Sequence, residues 1–529
     1  MKNRWIAGLC AAVSLPASLA AFYTWKIDEW DRADQLQQPG IPLLQPADWL
    51  WAILGSLLLF FFLYAFLTAV SEMPGIHPHG EPVSRRKSGV VMAAAWFPFL
   101  LAFYPAPGMN DTVYIMDYPV RACAQFPWAY SLTVGGAARL SEQMAGTREP
   151  AVFLIALLQM AAAAWALSWA VRRVSVTAGT RWGWALACYF ALFPMVGNYA
   201  VAAVKDTGYG IALFLWMFFL RRTAGKEELD LRETAAMAGL LMAVMLLRNN
   251  GVLAGAVLAG AVLAGIKKKR LRTAAAAVLC ITAAAAPPWV ISHIYHQPPL
   301  FQEIAAVPIQ QVGRVIAMEG TLDTKDRLFL EHLLPEEQWK SGYNPFTVDF
   351  IKWDSRFDRE WLNSRRGEFL KLWMRVGADN PRLYAEGWMT ETYAVWNLDP
   401  EEHQVQSRFG WALTDANTQS MIPENNDEAA AGGLPMPRRL SAFLIRWQFD
   451  GSRFLGAGLC LWLTVLAGLI MAARGKKRES IALLPILVNA ATLLAATPAS
   501  AVFRYSFIYV LALPVLLIWA FEENRQQEK

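Results

Sequence analysis

The sequence predicts an all-α polytopic membrane protein of about twelve transmembrane helices, with a mainly α-helical domain on one side of the bilayer. Three observations predict it. The 529 residues are 55% hydrophobic and only 17% charged, with a mean hydropathy of +0.28, which is more apolar surface than a soluble core of ordinary proportions can hide. Apolar runs long enough to enter a bilayer recur along the chain. Basic residues also crowd into alternate connecting segments and avoid the others.

Taken in order, the apolar runs occupy residues 5–25, 49–70, 88–105, 150–171, 182–199, 207–220, 234–247, 250–266, 273–293, 454–473, 480–497 and 505–521. Several middle runs are near or below the roughly 17 residues a span needs, which predicts tilted or paired short helices there. The first run follows Lys2 and Arg4, ends near Ala17-Ser18-Leu19-Ala20-Ala21, and resembles a secretory signal. Its length of about 20 residues exceeds a typical signal core, and Trp25 suits an interfacial stop, so a retained helix is expected. The run at 250–266 repeats Gly251, Gly255, Gly260 and Gly265 among Ala, Val and Leu. Such small residues let helices approach closely, as a packing seam requires.

With a cytoplasmic N-terminus, the inner segments hold 23 of the 48 Lys and Arg residues, from Lys2 and Arg4 to Arg525 and Lys529. Short outer segments hold eight, and the remainder fall in one long segment that is exempt from the bias. Both termini are therefore expected in the cytoplasm. The chain divides into residues 1–87 with two helices, a membrane core at 88–293 whose first outer loop is 106–149, an outer domain at 294–453, and closing helices with a short tail at 454–529. Helical patterns near 301–319, 355–377 and 380–397 fill the domain, and an Ala-, Gly- and Pro-rich stretch at 428–437 returns it to the membrane.

Composition excludes several function classes. A net charge of +5, explained by loop topology, calls for no nucleic-acid partner. The five cysteines, Cys10, Cys123, Cys188, Cys280 and Cys460, are scattered, and four lie in apolar runs where they read as small core residues. His77 with His79, and His293 with His296, have no third ligand in view. No phosphate-binding glycine loop, dinucleotide fingerprint or serine elbow is present.

The chemistry-bearing residues are charges at the outer ends of apolar runs, where an ionisable group is costly and usually serves a partner or a pathway. Asp111, in Met109-Asn110-Asp111-Thr112, follows the third run, and Asp117 comes six residues later. Asp111 could act as a general base, share a divalent cation (magnesium or manganese) with Asp117, or cap a helix. Lys205-Asp206 opens the sixth run, either as a self-neutralising pair with Asp206 as a cap, or with Lys205 as a phosphate anchor. Arg248, before Asn249-Asn250-Gly251, snorkels to water or meets an anion. Arg504, in Phe503-Arg504-Tyr505, again places a cation outside, and converging with Arg248 it would suit a phosphate or pyrophosphate.

These pieces resemble the GT-C superfamily of membrane glycosyltransferases and, more narrowly, a bacterial multi-pass family of unknown function. The likeness rests on Tyr104-Pro105 with Asp111-Thr112, Phe126-Pro127, Lys205-Asp206, Arg248-Asn249, Pro308-Ile309-Gln310-Gln311-Val312, Tyr343-Asn344-Pro345 with Asp349 and Lys352, Glu391-Thr392-Tyr393-Ala394-Val395-Trp396, and Phe503-Arg504-Tyr505. It covers the chain from about residue 88, so the first two helices look like an addition. The resemblance implies a bacterial inner-membrane enzyme that transfers a sugar, with inversion, from a polyprenyl-phosphate donor to an unidentified extracytoplasmic acceptor. Asp111 is then base or metal ligand, while Lys205, Arg248, Arg504 and Tyr505 bind the lipid phosphate. Asp117, Asp206, Gln310 and Gln311 give support, and the 294–453 domain closes over the acceptor. Where related sequences carry His before the proline, this chain has Phe126-Pro127, and phenylalanine cannot ligate a metal.

Two other classes share the helix count. A surface-polysaccharide polymerase or ligase also uses lipid-linked glycans but relies mainly on outer-loop arginines, against the aspartate here. A secondary transporter keeps its polar groups near the midplane, whereas these lie at outer ends.

Overall fold

The computed structural model describes residues 2–294, 300–399, 412–415, 436–451, 455–496 and 503–523. It is all-α, and among these residues no strand forms, only isolated bridges such as Pro107 with Ala412. The expected return at 428–437 lies largely outside the described residues, as do His296, 497–500, Arg525 and Lys529.

Among the described residues each of the twelve apolar runs is mainly helical, but not all are full spans. Among the described residues, six helices are long and apolar enough to cross a membrane, or seven if the bent pair Thr180–Leu192 and Pro194–Val201 counts as one. That pair breaks at Pro194, whose ring and missing N–H prevent the helix from continuing, and it bends by 62°. Gly251–Gly265 has 15 residues, about 22 Å at the ordinary rise, against roughly 30 Å of hydrocarbon. Arg85–Ala102 and Lys205–Thr223 carry charges in their end turns. Among the described residues, six or seven long helices thus have shorter ones packed between them, as the short middle runs lead one to expect.

The bundle has two distinct ends. At one, the segments assigned to the inner side meet: Ile76 N donates to Phe521 O at 2.7 Å, Thr180 N to His79 O at 2.9 Å, and Arg474 to Val70 O at 2.8 Å. Both ends of the described chain are there, with Lys477 3.7 Å from the Trp5 ring centroid and His77 2.8 Å from Glu523. At the other end sits a helical domain with its own apolar core, including Ile309, Val312, Trp339, Leu362 and Phe369. Inside it Arg314, 1% exposed, pairs with Glu386 at 2.7 Å.

The domain is tied to the bundle by backbone and indole contacts. Trp388 Nε1 donates to Leu494 O and Trp462 Nε1 to Trp396 O, each at 2.8 Å. Gly458 lets the Ala457–Ala473 helix lie against Asn397, where an added Cβ would stand 1.9 Å from a backbone oxygen. Gly458→Ala is therefore expected to lower stability by about 1–3 kcal/mol as the two backbones are forced apart. Thermal unfolding in detergent checks it, and an unchanged midpoint would refute the contact. The Lys2–Arg32 and Pro46–Glu72 helices pack on each other through Ser18 to Ala52 O at 2.9 Å and Lys26 to Asp48 at 2.7 Å. They brace the domain as well, since Leu36 O accepts from Arg314 at 3.0 Å and Leu44 N donates to Glu386 at 3.0 Å.

Candidate functional site

At the domain-bearing end, short polar connections draw four sequence-distant segments together. Thr112 Oγ1 donates to Ala203 O at 3.0 Å, which sets the Asn110–Asp117 helix beside the start of the Lys205–Thr223 helix. Thr207 Oγ1 donates to Tyr199 O at 2.7 Å, and Tyr199 stacks on Phe507 at 4.7 Å, bringing in the last helix. Gly210 permits that approach, because a Cβ there would stand 3.0 Å from the Phe507 ring. The turn after Leu247 is pinned by Asn249 Nδ2 to Gln125 O at 2.8 Å, and Asn489 Nδ2 holds Tyr505 O at 2.9 Å.

The result is a compact charge cluster. Asp111 Oδ2 lies 2.8 Å from Lys205 Nζ and 3.0 Å from Arg504 Nη1. Asp206 lies 3.2 Å from Arg248 Nη1, 3.7 Å from Lys205 Nζ and 3.8 Å from Arg504 Nε. Three cations thus share two carboxylates. Asp206 is fully buried, the Lys205 and Arg504 side chains are 9% exposed, and Asp111 is the most reachable member at 22%. Neither aspartate caps its helix: both stand in the first turn behind Met109 and Val204, with no side-chain cap bond. The Asp206 oxygens, Arg248 Nη1 and Arg504 Nε form no hydrogen bond among the described residues, so their attraction is coulombic.

Aromatic rings line the cluster. Arg248 lies 4.0 Å from the Tyr505 ring centroid and 5.4 Å from that of Tyr209, and Lys205 lies 4.8 Å from that of Phe126. Tyr505 OH accepts from Arg504 Nη2 at 2.9 Å. Burial opposes the charge on Asp111, yet Arg504 and Lys205 outweigh it and hold the carboxyl well below the usual carboxylate range.

Six of the nine expected residues, Asp111, Lys205, Asp206, Arg248, Arg504 and Tyr505, meet here. The other three do not. Asp117 pairs with Arg148, about 9 Å along its helix from Asp111 and on another face. The place beside Asp111 is taken by two basic side chains, while Asp117 is engaged by Arg148. Among the described residues, no group of three or more His, Cys, Asp or Glu is arranged to hold a metal. Gln310 and Gln311 sit inside the domain, where Gln310 donates to Asn344 O at 2.7 Å and Gln311 to Tyr384 O at 3.1 Å. They hold backbone, because their helix is buried within the domain core.

Sequence reasoning did not pick out Glu303, which the domain turns toward the cluster, and Asp349, Lys352 and Glu391 entered it only among the residues of the resemblance. Lys352, 2% exposed, bridges Asp349 at 2.8 Å and Glu303 at 3.1 Å. Burial raises the Glu303 carboxyl against the pull of Lys352, and the negative charges of Asp349 and Asp111 add to the rise, which places Glu303 within electrostatic reach of Asp111. Glu391 is fully buried with neither oxygen hydrogen-bonded, and burial holds it well above the usual range, with Lys352 opposing. Glu391 therefore keeps a proton that the unfolded chain releases, so stability falls as pH rises above the ordinary glutamate value of 4.5. Glu391→Gln is expected to remove that decline, flattening the thermal midpoint between about pH 4 and pH 8 relative to the parent. Identical pH profiles would refute the buried acid.

Comparison with curated proteins and with solved structures returns no match. Residues 116–529 match the model of a family of unknown function, DUF6020, a segment that takes in Lys205, Asp206, Arg248, Arg504 and Tyr505 but begins just after Asp111. The chain belongs to that family.

Proposed function

We propose that the chain is a GT-C-type membrane glycosyltransferase, moving a sugar from a polyprenyl-phosphate donor to a hydroxyl of an extracytoplasmic glycan, lipid or protein. The observation that carries this reading is the meeting of Lys205, Arg248 and Arg504 around Asp111 and Asp206 at one end of a membrane bundle. A lipid phosphate brings negative charge to the bilayer surface, and partly desolvated cations at helix ends are suited to receive it. Two of these cations also neutralise Asp111, which makes it a poor base at rest. A phosphate arriving between Lys205 and Arg504 competes for them, and the released carboxylate regains basicity. It then takes the acceptor proton as the acceptor oxygen attacks the anomeric carbon. The carbon–oxygen bond to phosphate breaks with inversion, and the cations stabilise the departing lipid phosphate.

Transfer of radiolabelled sugar from a single-sugar polyprenyl monophosphate, by the purified chain in vesicles, tests the reading. Lys205→Gln and Arg248→Gln are each expected to raise donor KM about ten- to a hundredfold, the worth of one charge-assisted contact. Transfer only from a pyrophosphate-linked glycan would favour a polymerase instead. Solute movement across the vesicle wall without transfer would favour a transporter.

A further inference from the structure

The opposite end of the bundle holds a cavity of about 340 Å³ that the proposed reaction does not use. One wall is aromatic: Phe218 meets Trp519 edge-on at 4.7 Å and Trp169 at 5.2 Å. Four guanidiniums, Arg173, Arg221, Arg222 and Arg478, line the rest with Glu479, Glu522 and Glu523. The carboxylates are already engaged. Glu479 and Glu522 both pair with Arg221, at 2.7 and 2.5 Å, and Glu523 pairs with His77 at 2.8 Å. Arg222 reaches Glu233, which lies outside the cavity wall, at 3.5 Å. Arg173 lies 5.2 Å from the Trp169 ring centroid, and neither it nor Arg478 has a carboxylate partner among the described residues. The four lining guanidiniums outnumber the three lining carboxylates by one, and two of them, Arg173 and Arg478, stand without a carboxylate partner among the described residues, beside an apolar wall where membrane helices end.

We infer that this cavity binds a phosphate group, carried by the headgroup of an anionic phospholipid. Guanidinium groups match phosphate oxygens in bidentate fashion, and ring faces hold the cations without neutralising them. The aromatic wall suits the glycerol and first methylenes of a lipid better than a free ion in water. The inference is independent of the reaction proposed above.

The test uses the purified full-length chain in a neutral detergent, with bound lipid counted by native mass spectrometry and stability followed by thermal unfolding. The probes are phosphatidylglycerol, phosphatidylcholine and inorganic phosphate. Phosphatidylglycerol is expected to bind and raise the midpoint more than phosphatidylcholine does. Arg173→Gln with Arg478→Gln is expected to weaken its binding about ten- to a hundredfold. The milder Arg478→Lys, which keeps the charge and the fold, is expected to weaken it less, through loss of the bidentate geometry. Equal binding of the two lipids, or phosphatidylglycerol binding unchanged in both variants, overturns the site. Protection by inorganic phosphate alone, without phosphatidylglycerol binding, overturns the lipid as its source.

Discussion

Asp111→Asn is expected to lower the turnover of sugar transfer by about 10²- to 10⁴-fold, the usual contribution of a positioned general base, while donor binding holds or tightens. The direction of the second effect follows from the cluster. In the resting protein Asp111 occupies Lys205 at 2.8 Å and Arg504 at 3.0 Å, so an incoming phosphate must displace a carboxylate from both. Asparagine keeps the shape and gives up the charge, leaving the two cations free for the donor. A residue that merely held the fold would, on replacement, damage binding and turnover together. Steady-state kinetics with the monophosphate donor, alongside donor binding measured without acceptor, separates the cases. Unaltered turnover removes Asp111 as the base, and a weakened donor interaction removes the competition between carboxylate and phosphate.

The convergence that supports this prediction was partly legible in the amino-acid order. Asp111, Lys205, Arg248 and Arg504 each stand at the end of an apolar run, where charge is expensive enough to need a reason, and all were assigned to one side by the distribution of basic residues. The way they pair was not legible. Lys205 with Asp206 reads as a self-contained pair or a cap, but consecutive residues at a helix start point in different directions. The shorter contact of Lys205 is with Asp111, ninety-four positions away. Asp117 was drawn in by its place six residues after Asp111 and the two glutamines by the motif that carries the resemblance, and other partners claimed them: Arg148 for Asp117, the Asn344 carbonyl for Gln310 and the Tyr384 carbonyl for Gln311. Glu303 escaped notice, and Glu391 entered only as part of the resemblance, because nothing local marks a carboxylate whose surroundings are set by domain packing alone. The all-α class follows from hydropathy, whereas the number of full spans depends on where helices break and on charges in their end turns, as at Pro194 and in Lys205–Thr223.

Asp206→Asn is expected to be the most destabilising single change in the cluster, at about 3–5 kcal/mol, because it leaves buried cations with too little opposing charge. Asp206 is fully buried and within 3.2–3.8 Å of all three basic groups, so it is the shared counter-ion that allows them to stand together. Without it, Lys205, Arg248 and Arg504 repel one another in a low-dielectric setting, with Asp111 the one ion-paired carboxylate left to them among the described residues. A bound lipid phosphate would restore part of the missing negative charge. Undecaprenyl phosphate is therefore expected to raise the thermal midpoint of Asp206→Asn more than that of the parent chain, although the variant starts from a lower value. A variant as stable as the parent, or one that gains no more from the lipid, would mean that these charges do not act as one unit. The phosphate reading of the cluster would then lose its physical basis.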